Sequence, residues 1–329
     1  MTSVPVLGLR MKGEMPLLSL DAHTHNDLID RVKTMAFQDA STYKCGDYLA
    51  RRAKDFTWKH HSCCDSHDKL MLDADEMVDA VCREKMCEWS YRVCDHFGTG
   101  REIVAVAFAC LDRFLDRRNC DRTAFKLAAM TSLYVTTKVF HTGRIRLRSL
   151  VELSRGEFEE RHITEMETIM LQTLEWRVHP PTVQCFIEPF CATLTPFTSD
   201  FQTLSCIQQR AIFFAELALY DYSFVSKEKP LVALAAVLNA IEGLENGPIP
   251  ETRRAAFQSA LEQTFDMEFD QEKVESMRHR LWYIYSMSAQ YQEDEIGALD
   301  QPQEIMNRKV TVHKFPQSMD QSPICVTTT

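Results

Sequence analysis

Apolar residues recur at helical spacing along most of this chain. In the first half, the spacing and its interruptions predict five helices, over 76–97, 101–117, 122–140, 147–154 and 157–178. The first module ends at His179, because the two prolines that follow it cannot continue a helix. A second helical run covers 182–291 and is interrupted by prolines and by the turn over 247–250. The pattern therefore predicts an all-α chain built from two helical modules.

Two pairs of residues predict how helices of the first module begin. In a capping box, a Ser or Thr and the acid three residues later each accept a backbone N–H of the first turn. Thr99 with Glu102 and Ser154 with Glu157 have this spacing. We therefore expect Thr99 and Ser154 to be N-cap residues.

Four charged residues stand among apolar neighbours in the first module. Arg83 precedes Asp112 by 29 positions, while Lys138 and Glu167 follow Asp112 by 26 and 55. A charge in an apolar environment is costly unless it is paired, so these positions predict a paired network across successive helices. Arg83 and Asp112 are expected to form a bidentate structural pair. Leu127 is expected in the core, and Lys138 and Glu167 lie toward helix ends, where side chains reach the surface.

Short motifs surround these charged positions. They are Cys82-Arg83-Glu84-Lys85-Met86-Cys87-Glu88-Trp89, Leu111-Asp112-Arg113-Phe114-Leu115, Thr137-Lys138, Met166-Glu167 and Leu174-Glu175-Trp176-Arg177-Val178. The motifs resemble the cyclin box. The second helix of that family carries Leu-Asp-Arg-Phe-Leu, and this chain has the same five residues at 111–115. The residues that match the five signature positions of that family are Arg83, Asp112, Leu127, Lys138 and Glu167.

The resemblance implies two tandem five-helix cyclin-fold domains and a regulatory subunit without catalytic residues, cofactor or metal. Such a subunit binds and activates a cyclin-dependent Ser/Thr protein kinase in cell-cycle control, and kinase substrates or inhibitors are further partners. In cyclins, the residues that match Lys138 and Glu167 hydrogen-bond to the kinase near its αC helix. The apolar side chains that we expect to contribute to the same interface are Val139, Phe140, Leu150 and Ile163.

The family's substrate-docking patch is degenerate in this chain. It falls on Cys82, Lys85, Met86, Trp89 and Lys126. Lys85 and Lys126 stand where the family has Ile and Gln, and two lysines would weaken an apolar patch. The chain also lacks the Leu-x-Cys-x-Glu motif of many D-type cyclins and a clear destruction box. The sequence therefore assigns it to neither the mitotic nor the D-type subtype.

A weak internal repeat supports a tandem arrangement. The segments that correspond are Asp112-Arg113-Phe114-Leu115 with Leu127-Ala128-Ala129-Met130, and Asp221-Tyr222-Ser223-Phe224-Val225 with Leu234-Ala235-Ala236-Val237. In each copy an alanine pair would let a central helix pack closely. We predict a partly disordered N-terminal extension over 1–65, an N-terminal cyclin domain over 66–180, a C-terminal cyclin domain over 181–291, and a disordered tail over 292–329.

Composition narrows the function further. The formal net charge of −10 argues against a dedicated nucleic-acid binder. The 12 cysteines are scattered through the predicted helices, which is typical of free thiols in a reducing compartment. No apolar run approaches the roughly 18 residues that a membrane span needs. We therefore expect a soluble intracellular protein, nuclear or cytoplasmic, with no membrane partner.

The sequence leaves two other interpretations of the function open. The first is a cyclin-fold transcription regulator or scaffold, such as a transcriptional-kinase cyclin or a nucleic-acid binder like the general transcription factors that share the fold; the basic loop Arg144–Arg148 could touch phosphate. The second is a metal site in the group His60, His61, Cys63, Cys64 and His67. Its spacing matches no paired zinc motif, so we predict no metal there.

Overall fold

The computed structural model describes residues 22–53, 78–140, 143–197, 200–243 and 251–288, and within these ranges the regular elements are helices. They are α1 (Ala22–Ala40), α2 (Ala80–Phe97), α3 (Glu102–Arg117), α4 (Arg122–Val139), α5 (Leu147–Leu153), α6 (Glu160–Thr173), α7 (Val183–Ala192), α8 (Phe201–Tyr220), α9 (Lys229–Glu242), α10 (Glu251–Phe265) and α11 (Gln271–Ser286). A helical stretch covers 48–53, and a 3₁₀ turn covers Tyr222–Phe224. The predicted all-α fold class is confirmed.

Helices α2 to α6 enclose one hydrophobic core, and α4 is its central element. It packs against α2, α3 and α6. Ala128 and Ala129 are buried on α4, and their small side chains allow the close approach that the sequence predicted. The Ser132 hydroxyl donates a hydrogen bond to the Ala107 carbonyl at 2.5 Å, which ties α4 directly to the backbone of α3.

Helices α7 to α11 enclose a second core around α9. This helix packs against α7, α8 and α11, and every residue from Pro230 to Ile241 is buried. A helix that is apolar on all sides can only be stable inside a domain, so α9 is the counterpart of α4. Its alanine pair, Ala235 and Ala236, is fully buried. Both alanine pairs are therefore buried on central helices, although Asp221 ends α8 whereas Asp112 lies inside α3.

Both predicted capping boxes are wrong. Gly98 ends α2 in the left-handed region with φ of 60°, and this turns Thr99 back over α2. The Thr99 hydroxyl therefore donates to the Cys94 carbonyl at 3.2 Å instead of capping α3. Ser154 lies at the end of α5, where its hydroxyl accepts the Phe158 N–H at 3.1 Å within a turn. Each hydroxyl therefore forms a hydrogen bond within the turn that follows the preceding helix, and neither caps the next helix.

Helix α1 lies within the N-terminal extension, to which the sequence analysis assigned no helix. It packs against α7, α9 and α10 of the second core. Val32 is fully buried there, and the Asp39 carboxylate accepts the backbone N–H of Lys229 at 2.8 Å, at the start of α9. Ile29 and Met35 also pack against this core at helical spacing from Val32, so the sequence carries a signal for this helix. Part of the extension thus belongs to the folded unit.

Other parts of the expected organisation lie outside the described residues. These are the tail over 292–329 and the histidine and cysteine group over 60–67. In the part of the chain that the structure does describe, no helix is long and apolar enough to cross a bilayer.

We predict that α1 contributes to the stability of the second core. Val32→Ala should lower the free energy of unfolding by about 2 kcal/mol, because two buried methyl groups are lost and a cavity remains. Phe37→Ala is the matched control on the same helix, since Phe37 is exposed, and it should change stability little. Urea unfolding followed by circular dichroism measures both. Equal effects of the two variants would show that α1 is not docked.

Candidate functional site

Arg83 of α2 and Asp112 of α3 form a buried ion pair at the junction of the two cores. Arg83 is 2% exposed and Asp112 is 5% exposed. Nε and Nη2 of Arg83 donate to Oδ1 and Oδ2 of Asp112, and both distances are 2.8 Å. This is the bidentate arrangement expected from the sequence, in which two parallel hydrogen bonds fix the relative orientation of the side chains.

Further contacts extend this pair into both halves of the molecule. The remaining Arg83 nitrogen, Nη1, donates to the Leu219 carbonyl of α8 at 2.7 Å. The Tyr48 hydroxyl donates to Asp112 Oδ1 at 2.9 Å. Burial lowers the pKa of Arg83, but the adjacent Asp112 carboxylate more than offsets this and raises the pKa above its ordinary value. Arg83 therefore stays charged, and the pair ties α2, α3, α8 and the segment at Tyr48 together.

Tyr222, on the 3₁₀ turn after α8, completes the junction. Its ring lies edge-on to the Tyr48 ring, with the centroids 5.1 Å apart. Its hydroxyl accepts the Leu49 N–H and donates to the Asp47 carboxylate, each at 2.9 Å. Residues 47–49 are thus held by both helical domains. The sequence offered no signal for these contacts, because residues 47–49 lie outside any periodic segment.

A second ionic contact joins the domains through Arg101 and Glu216. Arg101 Nε lies 3.2 Å from both carboxylate oxygens of Glu216, and Arg101 Nη1 donates to Asp95 at 2.6 Å. The guanidinium also covers the Tyr91 ring at 4.3 Å, and Tyr91 stacks on Tyr220 of α8. Sequence reasoning missed this contact. Glu216 stands among apolar residues of α8, so the argument that found Arg83 and Asp112 could have found it.

Lys138 and Glu167 meet at the surface of the first domain. They form an ion pair between the last turn of α4 and the middle of α6. The Lys138 side chain is 47% exposed, and its ammonium lies 4.6 Å from the centroid of the Tyr134 ring. Packing of α4 against α6 brings the two residues together. The Glu167 side chain is 16% exposed, so an accessible positive group lies beside a largely covered negative group.

The residues of the docking patch differ in accessibility. Cys82, Met86 and Trp89 are buried, so they form the floor of the patch and offer little accessible apolar surface to a peptide. Lys85 is partly exposed. Lys126 forms an ion pair with Glu157 at 2.9 Å, which offsets part of the positive charge expected there.

Two smaller expectations can also be located. Leu127 is only partly buried and packs at the edge of the first core. In the basic loop, Arg144 donates to the Gly98 carbonyl and Arg148 pairs with Glu152 at 3.2 Å, so two of its arginines have local partners. Within the described ranges, no three His, Cys, Asp or Glu side chains are grouped to hold a metal.

Comparison with known proteins supports the family. The family model described as "Cyclin, N-terminal domain" matches residues 53–179. Human cyclin-O is 28% identical over 172 residues, covering 52% of this chain and 49% of that protein. Mouse G1/S-specific cyclin-D1 is 26% identical over 186 residues, covering 56% of this chain and 62% of that protein. The chain thus spans about half to three fifths of the length of these relatives.

A solved structure supports the fold over a longer region. The viral cyclin from herpesvirus saimiri superposes with a TM-score of 0.52 at 17% identity, covering 64% of this chain and 89% of that one. The matched family region contains the Arg83–Asp112 pair and the Lys138–Glu167 pair. Residues 53–179 of the chain are therefore similar to the N-terminal domain of cyclins.

We predict that the buried pair is far more sensitive to substitution than a surface pair. Asp112→Ala should lower the free energy of unfolding by about 3–5 kcal/mol, because the Arg83 charge is left buried without a counterion. Urea unfolding measures the loss. Glu152→Ala is the control, since it breaks the exposed pair with Arg148 and should cost less than about 0.5 kcal/mol.

The combined variant Arg83→Met with Asp112→Ala separates charge burial from packing. It removes both charges, so it should be more stable than Asp112→Ala alone. A combined variant that is less stable than the single variant would contradict the buried-charge explanation.

Proposed function

We propose that this protein is a regulatory subunit that binds and activates a cyclin-dependent Ser/Thr protein kinase in cell-cycle control, and that it carries out no catalysis itself. The observation that carries the proposal is the Lys138–Glu167 pair, which lies at the surface of a cyclin-type N-terminal domain. Human cyclin-O and mouse G1/S-specific cyclin-D1 match the same part of the chain, which supports the assignment. We place its action in the nucleus, the cytoplasm or both.

The physical setting of the pair favours an interface over a purely structural role. Ion pairs between exposed side chains contribute only about 0–1 kcal/mol to stability. The same two groups can each form charge-assisted hydrogen bonds to a partner, which are stronger once the interface excludes water. Their position is fixed by helices that pack on a common core, so a partner meets a preformed arrangement.

The apolar part of the interface is smaller than expected. Leu150 and Ile163 are fully buried and belong to the first core, so they cannot contact a partner. Val139 and Phe140 remain partly accessible beside Lys138. The Phe140 ring stacks on His179 with the centroids 5.3 Å apart, which holds it in place at the end of α4. We propose that these two residues flank the charged pair.

Activation follows from preferential binding. A protein kinase needs its β3 lysine paired with the αC glutamate and its activation loop clear of the substrate site. A subunit that binds beside αC shifts the kinase toward that state when it binds the active conformation more tightly than the inactive one. A stable interface of this kind buries on the order of 2,000 Å² or more.

We predict that Lys138→Ala with Glu167→Ala abolishes co-purification of the kinase while the melting temperature changes little. The matched control is Lys126→Ala with Glu157→Ala, which removes another ion pair between α4 and the α6 region. That control should keep the kinase bound. Pull-down from cells followed by mass spectrometry, with circular dichroism of the purified variants, measures both properties.

Exchanging the charges of Lys138 and Glu167 tests whether the pair contacts the kinase or only joins α4 to α6. Lys138→Glu with Glu167→Lys preserves an ion pair between α4 and α6 but reverses the charges offered to a partner. Loss of the kinase from this folded variant supports the interface, and full retention would contradict it. Recovery of a general transcription complex in place of a kinase would favour the transcription-scaffold alternative.

We also predict weak binding of Arg-x-Leu docking peptides. Lys85 repels the peptide arginine, and the buried floor leaves little apolar contact for the leucine. Lys85→Ile removes the repulsion and adds apolar surface above the floor, and each of these effects is worth about 1 kcal/mol. Lys85→Ile with Lys126→Gln should therefore tighten binding by roughly tenfold to a hundredfold. The second change also frees the Glu157 carboxylate for the peptide arginine. Fluorescence polarisation against an Ala-x-Ala control peptide measures this, and unchanged affinity would disprove the prediction.

A further inference from the structure

A cleft lies between the two helical domains. It encloses about 70 Å³ and opens to solvent. Helices α3 and α8 face each other across it with small side chains, and the residues concerned are Ala105, Ala109, Ala215 and Ala218. The linker residues from Pro180 to Gln184 form a further wall, together with side chains between Asp39 and Cys45. Both domains are therefore needed to form the cleft.

Arg113, which lines this cleft, is a buried cation with incomplete hydrogen bonding. The residue is 2% exposed, and its Nη1 donates to the Arg177 carbonyl at 2.7 Å. Its Nε and Nη2 have no hydrogen-bond partner among the described residues. These two nitrogens lie on the same edge of the guanidinium, which is the edge that binds two oxygens of one carboxylate side by side.

The charges around the cleft leave Arg113 uncompensated. The charged residues among those described as lining it are Arg83, Arg113, Lys229, Asp39 and Asp112. Asp112 neutralises Arg83 in an ion pair. The Asp39 carboxylate accepts the backbone N–H of Lys229 and attracts its ammonium group, which itself donates to two backbone carbonyls. One net positive charge remains, at Arg113. Burial lowers the pKa of Arg113 relative to its ordinary value, as expected for a cation without a counterion.

We propose that the cleft binds a small organic monoanion through its carboxylate, which would form two parallel hydrogen bonds to Nε and Nη2 of Arg113. A single negative charge neutralises the lining, whereas a phosphate dianion would leave an excess negative charge. Alanine, proline and aromatic side chains suit an apolar body. Binding includes a movement of the Tyr43 ring, which covers the guanidinium at 4.8 Å, because both nitrogens have almost no solvent contact.

Benzoate is a suitable probe for the full chain, with benzamide as the uncharged analogue and phenyl phosphate as the phosphate analogue. We expect benzoate to bind with a dissociation constant on the order of 1 mM and to shift the Arg113 Nε–H resonance in a ¹⁵N–¹H spectrum. Benzamide should shift nothing. Equal shifts from benzoate and benzamide, no shift from benzoate, or a shift from phenyl phosphate alone would each overturn the proposal.

Substitutions test whether Arg113 is the residue that binds the carboxylate. Arg113→Met should weaken benzoate binding at least tenfold in isothermal titration. Arg117→Met, one turn further along α3, is the matched control and should leave binding unchanged, because Arg117 is partly exposed and bonded to the Thr173 carbonyl at the end of α6. If Arg113→Met does not fold, the comparison of benzoate with benzamide on the unaltered chain still shows whether the cleft binds a carboxylate. The outcome is independent of the kinase-binding proposal.

Discussion

The ion pair between Arg83 and Asp112 determines how the rest of the molecule is arranged. It removes two full charges from water, which is favourable only when every remaining polar atom finds a partner. Here Asp112 also accepts the Tyr48 hydroxyl, and Arg83 also donates to the Leu219 carbonyl. These requirements hold α2, α3 and the end of α8 in one relative position. The pair therefore specifies the junction of the domains more than it adds to their stability.

A fixed junction has consequences at the surface. Helix α4 packs against α2 and α3, which carry the buried pair, and α6 packs against α4. Lys138 and Glu167 are consequently presented by elements whose positions depend on the interior. The same junction brings α3 and α8 into contact, and their alanines line part of the cleft. The proposed kinase interface and the proposed carboxylate site thus depend on one set of buried contacts.

Local signals predicted the helices well and their caps poorly. The predicted segment over 122–140 corresponds to α4 at Arg122–Val139, because a long periodic run defines a helix through many side chains at once. A cap depends on the course of the chain over two or three residues. Gly98, in the left-handed region, was enough to redirect Thr99 from α3 to α2. Helix α1 also has apolar residues at helical spacing, so its sequence carries the same kind of signal.

The sequence by itself determined the fold class and the residues of both central ion pairs, because charges inside apolar helical segments must be paired and the surrounding motifs identify the cyclin box. Only the tertiary structure decided which distant groups meet. Tyr48 contacts Asp112, Arg101 contacts Glu216, and Lys126 is offset by Glu157. Arg113 belongs to the same motif as Asp112, yet within the described ranges it has no ion-pair partner. Such contacts join residues far apart in the chain, and their geometry depends on how whole helices pack, which helical periodicity does not encode.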